Sequence, residues 1–338
     1  MKNLVIMKRL TMFLVCLNLA LLARSQQLPV YSQYLYNKFL INPAHAGSDG
    51  LTSYNITARE QWVGYAGAPR TFSVSGQTRI LKKKYRLKQN IFDQTVYVPK
   101  TEGRVGFGGY IFSDRNGLVQ RTGFQTSYSY HLWLEDYTQI SMGLAITGYH
   151  YKINVDETSF RESNEPLLSD NLRRGVFIPD VDFGIYVLNP GYEVGFSVLQ
   201  LAGAAARLGN NSNGNYWMDR HYYLFGSFSL PSGAKAKLKP STLIKISEQF
   251  RPQADIGLTY VYDTKFWMGM SYRTGSSIVT NIGMKYVNSR IKMTSVYLGY
   301  SFDFAISKIQ RVTYGTHEIV IALKLGDSAR RFRWKDRY

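Results

Sequence analysis

The sequence predicts an all-β chain: a transmembrane, antiparallel barrel of the outer-membrane type with about 14 strands. Three observations carry that prediction. An export signal stands at the start and no later apolar run is long enough for a membrane-spanning helix. Apolar residues recur at every second position in segments near ten residues long. The connections between those segments alternate between short and long, as they do in bacterial barrels.

The export signal comes first along the chain. Lys2, Lys8 and Arg9 precede an apolar run from Leu10 to Leu22, and Ala23-Arg24-Ser25 supplies the small residues a signal peptidase requires. Residues 1–25 therefore read as a secretory signal peptide with cleavage expected before Gln26. Cys16 lies inside the run after Val15, where a lipobox needs Gly, Ala or Ser, so it reads as an ordinary apolar residue. Loss of Lys2, Lys8, Arg9 and Arg24 lowers the net charge from +18 to +14 and leaves no cysteine. A disulfide-free exported chain must be held by its hydrogen-bonded framework.

Composition narrows the class further. With 45% apolar and only 19% charged residues, disorder is excluded. The basic excess, 41 Lys and Arg against 23 Asp and Glu, is dispersed, with peaks at Lys82 to Lys88, Lys235 to Lys239 and Arg330 to Arg337. A nucleic-acid partner would need basic residues clustered beside stacking or base-reading groups, so none is expected.

Period-two alternation places the strands. Val296, Leu298, Tyr300, Phe302 and Phe304 interleave with Tyr297, Gly299, Ser301 and Asp303, and Ile319, Ile321, Leu323 and Leu325 interleave with Glu318, Val320, Ala322 and Lys324. The same reading gives strands near 52–60, 70–80, 104–113, 121–134, 137–151, 180–188, 191–200 and 221–230, then 241–249, 254–262, 265–273, 278–287, 292–302 and 316–325. Trp62, Trp133, Trp217, Tyr262 and Trp267 near segment ends suit interfacial girdles. A soluble β-sandwich alternates in the same way. Strand length, the signal peptide and the Tyr- and Gly-rich opposite faces favour the barrel.

The barrel is expected over 51–326, after an N-terminal periplasmic or plug segment at 26–50 and before a basic tail at 327–338. With both termini in the periplasm, the short connections 135–136, 189–191, 263–264 and 288–291 fall on the periplasmic side, and the longer 152–179, 201–220 and 303–315 on the outside. Two lysine-rich periplasmic connections, 81–103 and 231–240, break the pattern. With the tail they would form a basic periplasmic face of Lys82, Lys83, Lys84, Lys235, Lys237, Lys239, Arg330, Arg331 and Arg333. That face is either a solvated surface or a docking site for acidic segments or anionic head groups.

No catalytic constellation stands out. The five histidines show no metal-binding spacing, and no nucleophile elbow or Walker loop occurs. Gly103 to Gly109 is glycine-rich but lies within a strand, which favours strand packing over phosphate binding. Asp114, Ser129 and His131 have no spacing that singles out a hydrolase, and His317-Glu318 reads as a polar buttress at the rim. The chain is read as a non-enzyme with no cofactor, no metal and no small-molecule substrate.

Certain motifs resemble a known family. Ser32-Gln33-Tyr34-Leu35-Tyr36-Asn37 and Ile41-Asn42-Pro43-Ala44-His45-Ala46-Gly47-Ser48 are similar to the opening of the PorP/SprF membrane proteins of type IX secretion and gliding motility in Bacteroidota. The resemblance continues through Arg59-Glu60-Gln61-Trp62-Val63-Gly64, Gly67-Ala68-Pro69-Arg70-Thr71, Asp114-Arg115-Asn116-Gly117, Phe266-Trp267-Met268-Gly269 and Gly315-Thr316-His317-Glu318-Ile319. His45 and Thr316 stand where the family usually has Tyr and Ser. Residues 82–101 look like an insertion, and Arg330-Arg331-Phe332-Arg333-Trp334 extends past the expected last strand.

The resemblance implies a non-enzymatic outer-membrane component that helps secrete or anchor an adhesin-like surface protein. Its implied partners are type IX secretion components, the C-terminal domain of the secreted protein and outer-membrane lipid. Long outer loops on a rigid scaffold are where such cargo would be gripped, and Arg207, Tyr216 and Trp217 are hot-spot residue types in one of them. They could equally be girdle residues. A passive porin or hydrophobic-solute channel is the alternative function.

Overall fold

The computed structural model describes residues 31–89, 95–134, 138–154, 175–203, 205–207, 215–217, 219–248, 251–288 and 294–325, with backbone only for 81–103, 205–207, 215–217, 251 and 288. The expected signal peptide, its cleavage site and the basic tail lie outside the described residues.

The strands are β1 (Thr52–Glu60), β2 (Arg70–Gln89), β3 (Thr95–Asn116), β4 (Val119–Trp133), β5 (Gln139–Ile153), β6 (Val176–Leu188) and β7 (Tyr192–Leu199). After the short β8 (Ala205–Arg207) and β9 (Asn215–Trp217) come β10 (His221–Phe228), the short β11 (Leu230–Ser232), β12 (Ala236–Ser247) and β13 (Arg251–Tyr262). The chain ends with β14 (Phe266–Arg273), β15 (Ser277–Asn288), β16 (Thr294–Ala305) and β17 (Thr316–Leu325).

Sequential neighbours pair antiparallel, and two pairings close the ring. β1 pairs with β17 from Thr52↔Leu325 to Glu60↔His317, and β10 pairs with β12 from His221↔Ser247 to Ser227↔Ser241. The result is a closed 14-strand antiparallel barrel, as the alternation predicts. Closure gives every strand two partners, the condition for a sheet to sit in lipid.

Burial decides between barrel and sandwich. Along β1 the buried residues are Ser53, Asn55, Thr57 and Arg59, while Tyr54 and Ile56 are 51% and 44% exposed. On β17, Glu318 is 1% exposed and Ile319 beside it 47%. A water-soluble sandwich hides its Ile and Phe side chains and exposes its carboxylates. This chain does the reverse on every long strand, so the apolar face needs hydrocarbon around it.

The up-and-down order sorts the connections between two ends. Leu51, the connections 90–94, 134–138, 189–191, 229–235, 263–265 and 289–293, and Leu325 share one end, here the terminal end. The connections 61–69, 117–118, 154–175, 200–220, 248–250, 274–276 and 306–315 share the other, here the far end.

Three expectations are corrected. Residues 81–103 are not a loop: β2 and β3 continue with Lys82↔Glu102, Lys83↔Thr101 and Lys84↔Lys100 after a bulge between Ile80 and Lys82. β1 pairs β2 only as far as Gln77 and β4 pairs β3 only as far as Val105, so this ribbon pairs with itself alone. The lysine run hides the alternation there. Likewise 231–240 is not one loop: β12 starts at Ala236, and Lys237 and Lys239 lie on it. Pro240 sits where β12 changes partner, its pairing with β11 reaching only to Leu238 and its pairing with β10 starting at Ser241, so its missing N–H breaks no ladder on that side. Finally, Trp267 is no girdle residue. Its position shares the inward face, and it is 6% exposed, whereas Tyr262 at 48% faces out.

Candidate functional site

The lumen is the most elaborated part of the molecule. A barrel of eight strands is filled by its own side chains and one of 16 to 18 leaves a water channel, so 14 strands enclose more space than wall side chains fill. Residues 31–50 occupy it. From Ser32 to Gly50 the segment is buried except at Leu35 and Tyr36, which are half-buried. It is compact because two 3-10 turns, Lys38–Leu40 and Pro43–His45, wind it tightly. Asn42 caps the second by accepting from the Ala44 N–H at 2.9 Å, with Pro43 set at its start.

The segment runs from the far end toward the terminal end, held by three sets of contacts. At the far end, Ser32 and Gln33 donate their backbone N–H groups to the Glu318 carboxylate at 2.7 and 2.8 Å. Arg59 reaches Glu318 at 2.8 Å and Asp303 at 2.7 Å, and Arg273 holds Asp255 and Asp303, each at 2.9 Å. These five charges are buried, and each carboxylate meets an arginine, which is what a dry charged cluster requires.

Mid-lumen contacts go to backbone. Ser129 Oγ donates to the Ala46 carbonyl at 2.6 Å, His131 Nε2 lies 3.0 Å from the same oxygen, and Asn42 donates to the Ile185 and Phe196 carbonyls at 3.0 and 3.2 Å. The wall is thinned for this. A Cβ at Gly106 would stand 2.0 Å from the Ala46 carbonyl oxygen, and one at Gly143 2.4 Å from the Ala44 nitrogen. The glycine run in β3 thus serves strand packing of an unexpected kind, against the segment inside. Toward the terminal end, Lys38 pairs with Glu193 at 2.7 Å and Lys324 with Asp49 at 3.2 Å.

The lumen shifts His45 and Asp49 on the segment in ways that follow from their neighbours. Burial, with Lys38 next in effect, pulls the His45 imidazole down to about 4. Burial alone would raise Asp49, but Lys324 outweighs it and holds the carboxyl below its usual range.

The suspected catalytic groups are dispersed. Ser129 and His131 lie 3.1 Å apart, but His131 Nδ1 faces Ser141 at 2.7 Å and the pair is sealed under Ala46. Asp114 is elsewhere, bound to Arg121 at 2.6 Å and Thr71 at 2.7 Å. His317 turns outward to the Tyr300 hydroxyl at 2.7 Å while Glu318 turns inward, so they form no acid–base pair. Among the described residues no group of His, Cys, Asp and Glu is arranged to hold a metal.

The predicted contact residues fall at both ends. Arg207, Tyr216 and Trp217 lie on one small hairpin, β8–β9, with Ala206↔Tyr216, Ala205↔Trp217 and Arg207↔Asn215 in register, inside the far-end connection between β7 and β10. Lys82, Lys83 and Lys84 lie on the β2–β3 ribbon and Lys235 in the turn before β12. Lys239, expected on a periplasmic loop, instead lines the lumen beside Glu193. Arg330, Arg331 and Arg333 lie outside the described residues. Sequence reading left open whether 26–50 fills the lumen; the signal was present in inward glycines, Gly143 of β5 and Gly184 of β6, opposite Asn42-Pro43-Ala44.

A closed barrel with an apolar outer face, a charged inner face and a chain segment through its lumen defines a plugged outer-membrane protein. Residues 23–323 match the family described as type IX secretion system membrane protein PorP/SprF, and the chain belongs to that family. It is therefore a type IX secretion component of the outer membrane, a setting that involves other secretion components, and its family and fold point to a non-enzymatic role. No match was found among curated proteins. Similar solved structures include the CymD monoaromatic hydrocarbon channel (TM-score 0.46, 12% identity, covering 89% of this chain and 94% of that one). A Pseudomonas aeruginosa FadL homologue gives 0.44 and 9%, covering 81% and 88%. Acinetobacter baumannii outer membrane protein Omp33 gives 0.40 and 8%, covering 82% and 99%.

Proposed function

We propose that this barrel is a sealed anchor that holds a secreted surface protein, adhesin-like in kind, at the cell exterior. The observation that supports it is the buried segment 31–50, tied to the wall from Glu318 at one end of the lumen to Asp49–Lys324 at the other. A diffusion porin needs an open water path, and this segment stands in it. The far end, with β8–β9 and its Arg207, Tyr216 and Trp217, is the outer surface that grips the C-terminal domain of the cargo. The terminal end is periplasmic, and Lys82, Lys83, Lys84, Lys235, Lys237, Arg330, Arg331 and Arg333 attract acidic segments of the secretion apparatus there.

Two measurements test this reading. In planar bilayers the purified barrel should show no steady conductance; a constant open current would replace the anchor with a porin. Deleting 204–216 should leave a folded, membrane-inserted barrel but release the cargo from the cell surface, and unchanged cargo display would remove the grip.

A further inference from the structure

At the terminal end of the lumen, between the buried segment and strands β12, β13, β14, β16 and β17, lies a cleft open to solvent. One wall is apolar. Tyr36 stacks on Trp267 with 4.4 Å between ring centroids, Tyr297 lies 6.2 Å from Trp267, and Val320 and Ala322 continue the surface. Lys38, Lys239 and Lys324 also line the cleft, where Glu193 is the only carboxylate among the described lining residues.

That carboxylate is saturated. Glu193 takes Lys38 at 2.7 Å, the Tyr186 hydroxyl and the Ser227 hydroxyl. Lys324 is shared between Asp49 and the face of Tyr297, whose ring centroid lies 5.3 Å from both the Lys324 and Lys285 ammonium groups. Each cation has its neighbour, yet the lining carries more positive than negative charge. A field of that sign in a partly dry cleft favours an anion.

An independent observation points the same way. Trp267 Nε1, a buried donor on a lining residue, has no hydrogen-bond partner among the described residues. A buried donor without an acceptor is costly, and Trp267 is 6% exposed. An apolar wall, surplus positive charge and an unused indole N–H together describe a ligand with an acidic head and a hydrocarbon body.

We propose that this cleft binds a small amphipathic monocarboxylate, its carboxylate on the lysine side and its hydrocarbon against Tyr36, Tyr297 and Val320. The sequence suggests no small-molecule ligand, because its lysines read as loop residues; Lys239 on an inward strand position changes that.

Quenching of Trp267 provides the test. The full chain in lipid nanodiscs is titrated with a medium-chain fatty acid brominated at its end, and with the brominated alcohol of equal length. Trp267→Phe supplies the background from the other tryptophans. The fatty acid should quench the Trp267 signal saturably and about tenfold more tightly than the alcohol, the factor expected for one charge-assisted contact. Lys239→Gln should weaken the acid severalfold and leave the alcohol unchanged. Ala322→Phe, which fills the cleft, should abolish both while the barrel keeps its heat-modifiable migration. Equal binding of acid and alcohol, or no effect of Lys239→Gln, would overturn the site. Quenching identical in Trp267→Phe would show bilayer partition only and overturn it as well.

Discussion

Single residues show how little tolerance the lumen has. Gly106 faces the Ala46 carbonyl so closely that a methyl group would stand 2.0 Å from it and 2.4 Å from Ser129 Oγ. Both neighbours are fixed, one by backbone and one by its hydrogen bond to that same carbonyl. Gly106→Ala should therefore displace the inner segment and leave the strand intact, read as new trypsin cleavage at Lys38 in a folded barrel; continued protection would refute it. His45 gives a pH dependence. It is buried against Tyr186, 5.2 Å between ring centroids, among Lys38, Lys324, Asp49 and Glu193. Its seated value of about 4 lies below the ordinary 6.5, so the released segment binds the proton more readily. Seating is thus fully stabilised above pH 6.5 and loses up to about 3 kcal/mol as pH falls toward 4. Amide exchange of residues 38–48 should quicken across that window, and His45→Phe should flatten the change.

Elements explain what the sequence could and could not reveal. All fourteen barrel strands are legible because alternation is a two-residue property, and the lipid face repeats Ile, Leu, Phe and Tyr, as in Ile319, Ile321 and Leu325. Only the extension of β2 and β3 past Ile80 and Arg104 was illegible, because the run Lys82-Lys83-Lys84 has no two-residue period. The inner segment has no period at all; only its contacts with distant strands order it, such as Ser32 with Glu318, 286 positions on. Sequence proximity could not reveal Arg59, Arg273, Asp255 and Asp303 as one cluster, because four strands supply them. Since the ribbon pairs only with itself beyond Gln77 and Val105, it should be separable. Replacing 84–100 with Asn-Gly, which suits a two-residue hairpin, joins Lys83 to its partner Thr101. The barrel should keep its thermal stability within about 0.5 kcal/mol, as for changes outside packed regions, and lose co-purifying periplasmic partners. A large drop in stability would mean the ribbon belongs to the barrel proper.

At the scale of the whole molecule, the inner segment and the wall are different kinds of structure. The wall is bonded strand to strand around the full circle, and lipid covers its apolar face. Its inner face is rich in Ser, Asn, Thr, Arg and Asp, residues that water can solvate as well as the segment does, with an apolar patch at Trp267, Tyr297, Val320 and Ala322. Removing a core from a soluble protein leaves a cavity costing several kcal/mol; removing residues 31–48 here leaves a polar channel that fills with water. Glu318 would lose two N–H donors and Glu193 would lose Lys38, but each keeps other partners, Arg59 for the first and Ser227 for the second. The deletion should therefore still give a heat-modifiable, membrane-inserted barrel. It should also turn a silent protein into one with steady conductance in planar bilayers, since a 14-strand ring lies near the size at which barrels hold open water. A deleted protein that inserts and stays silent would mean the wall side chains close the lumen unaided, and the sealing role would pass from residues 31–48 to the strands.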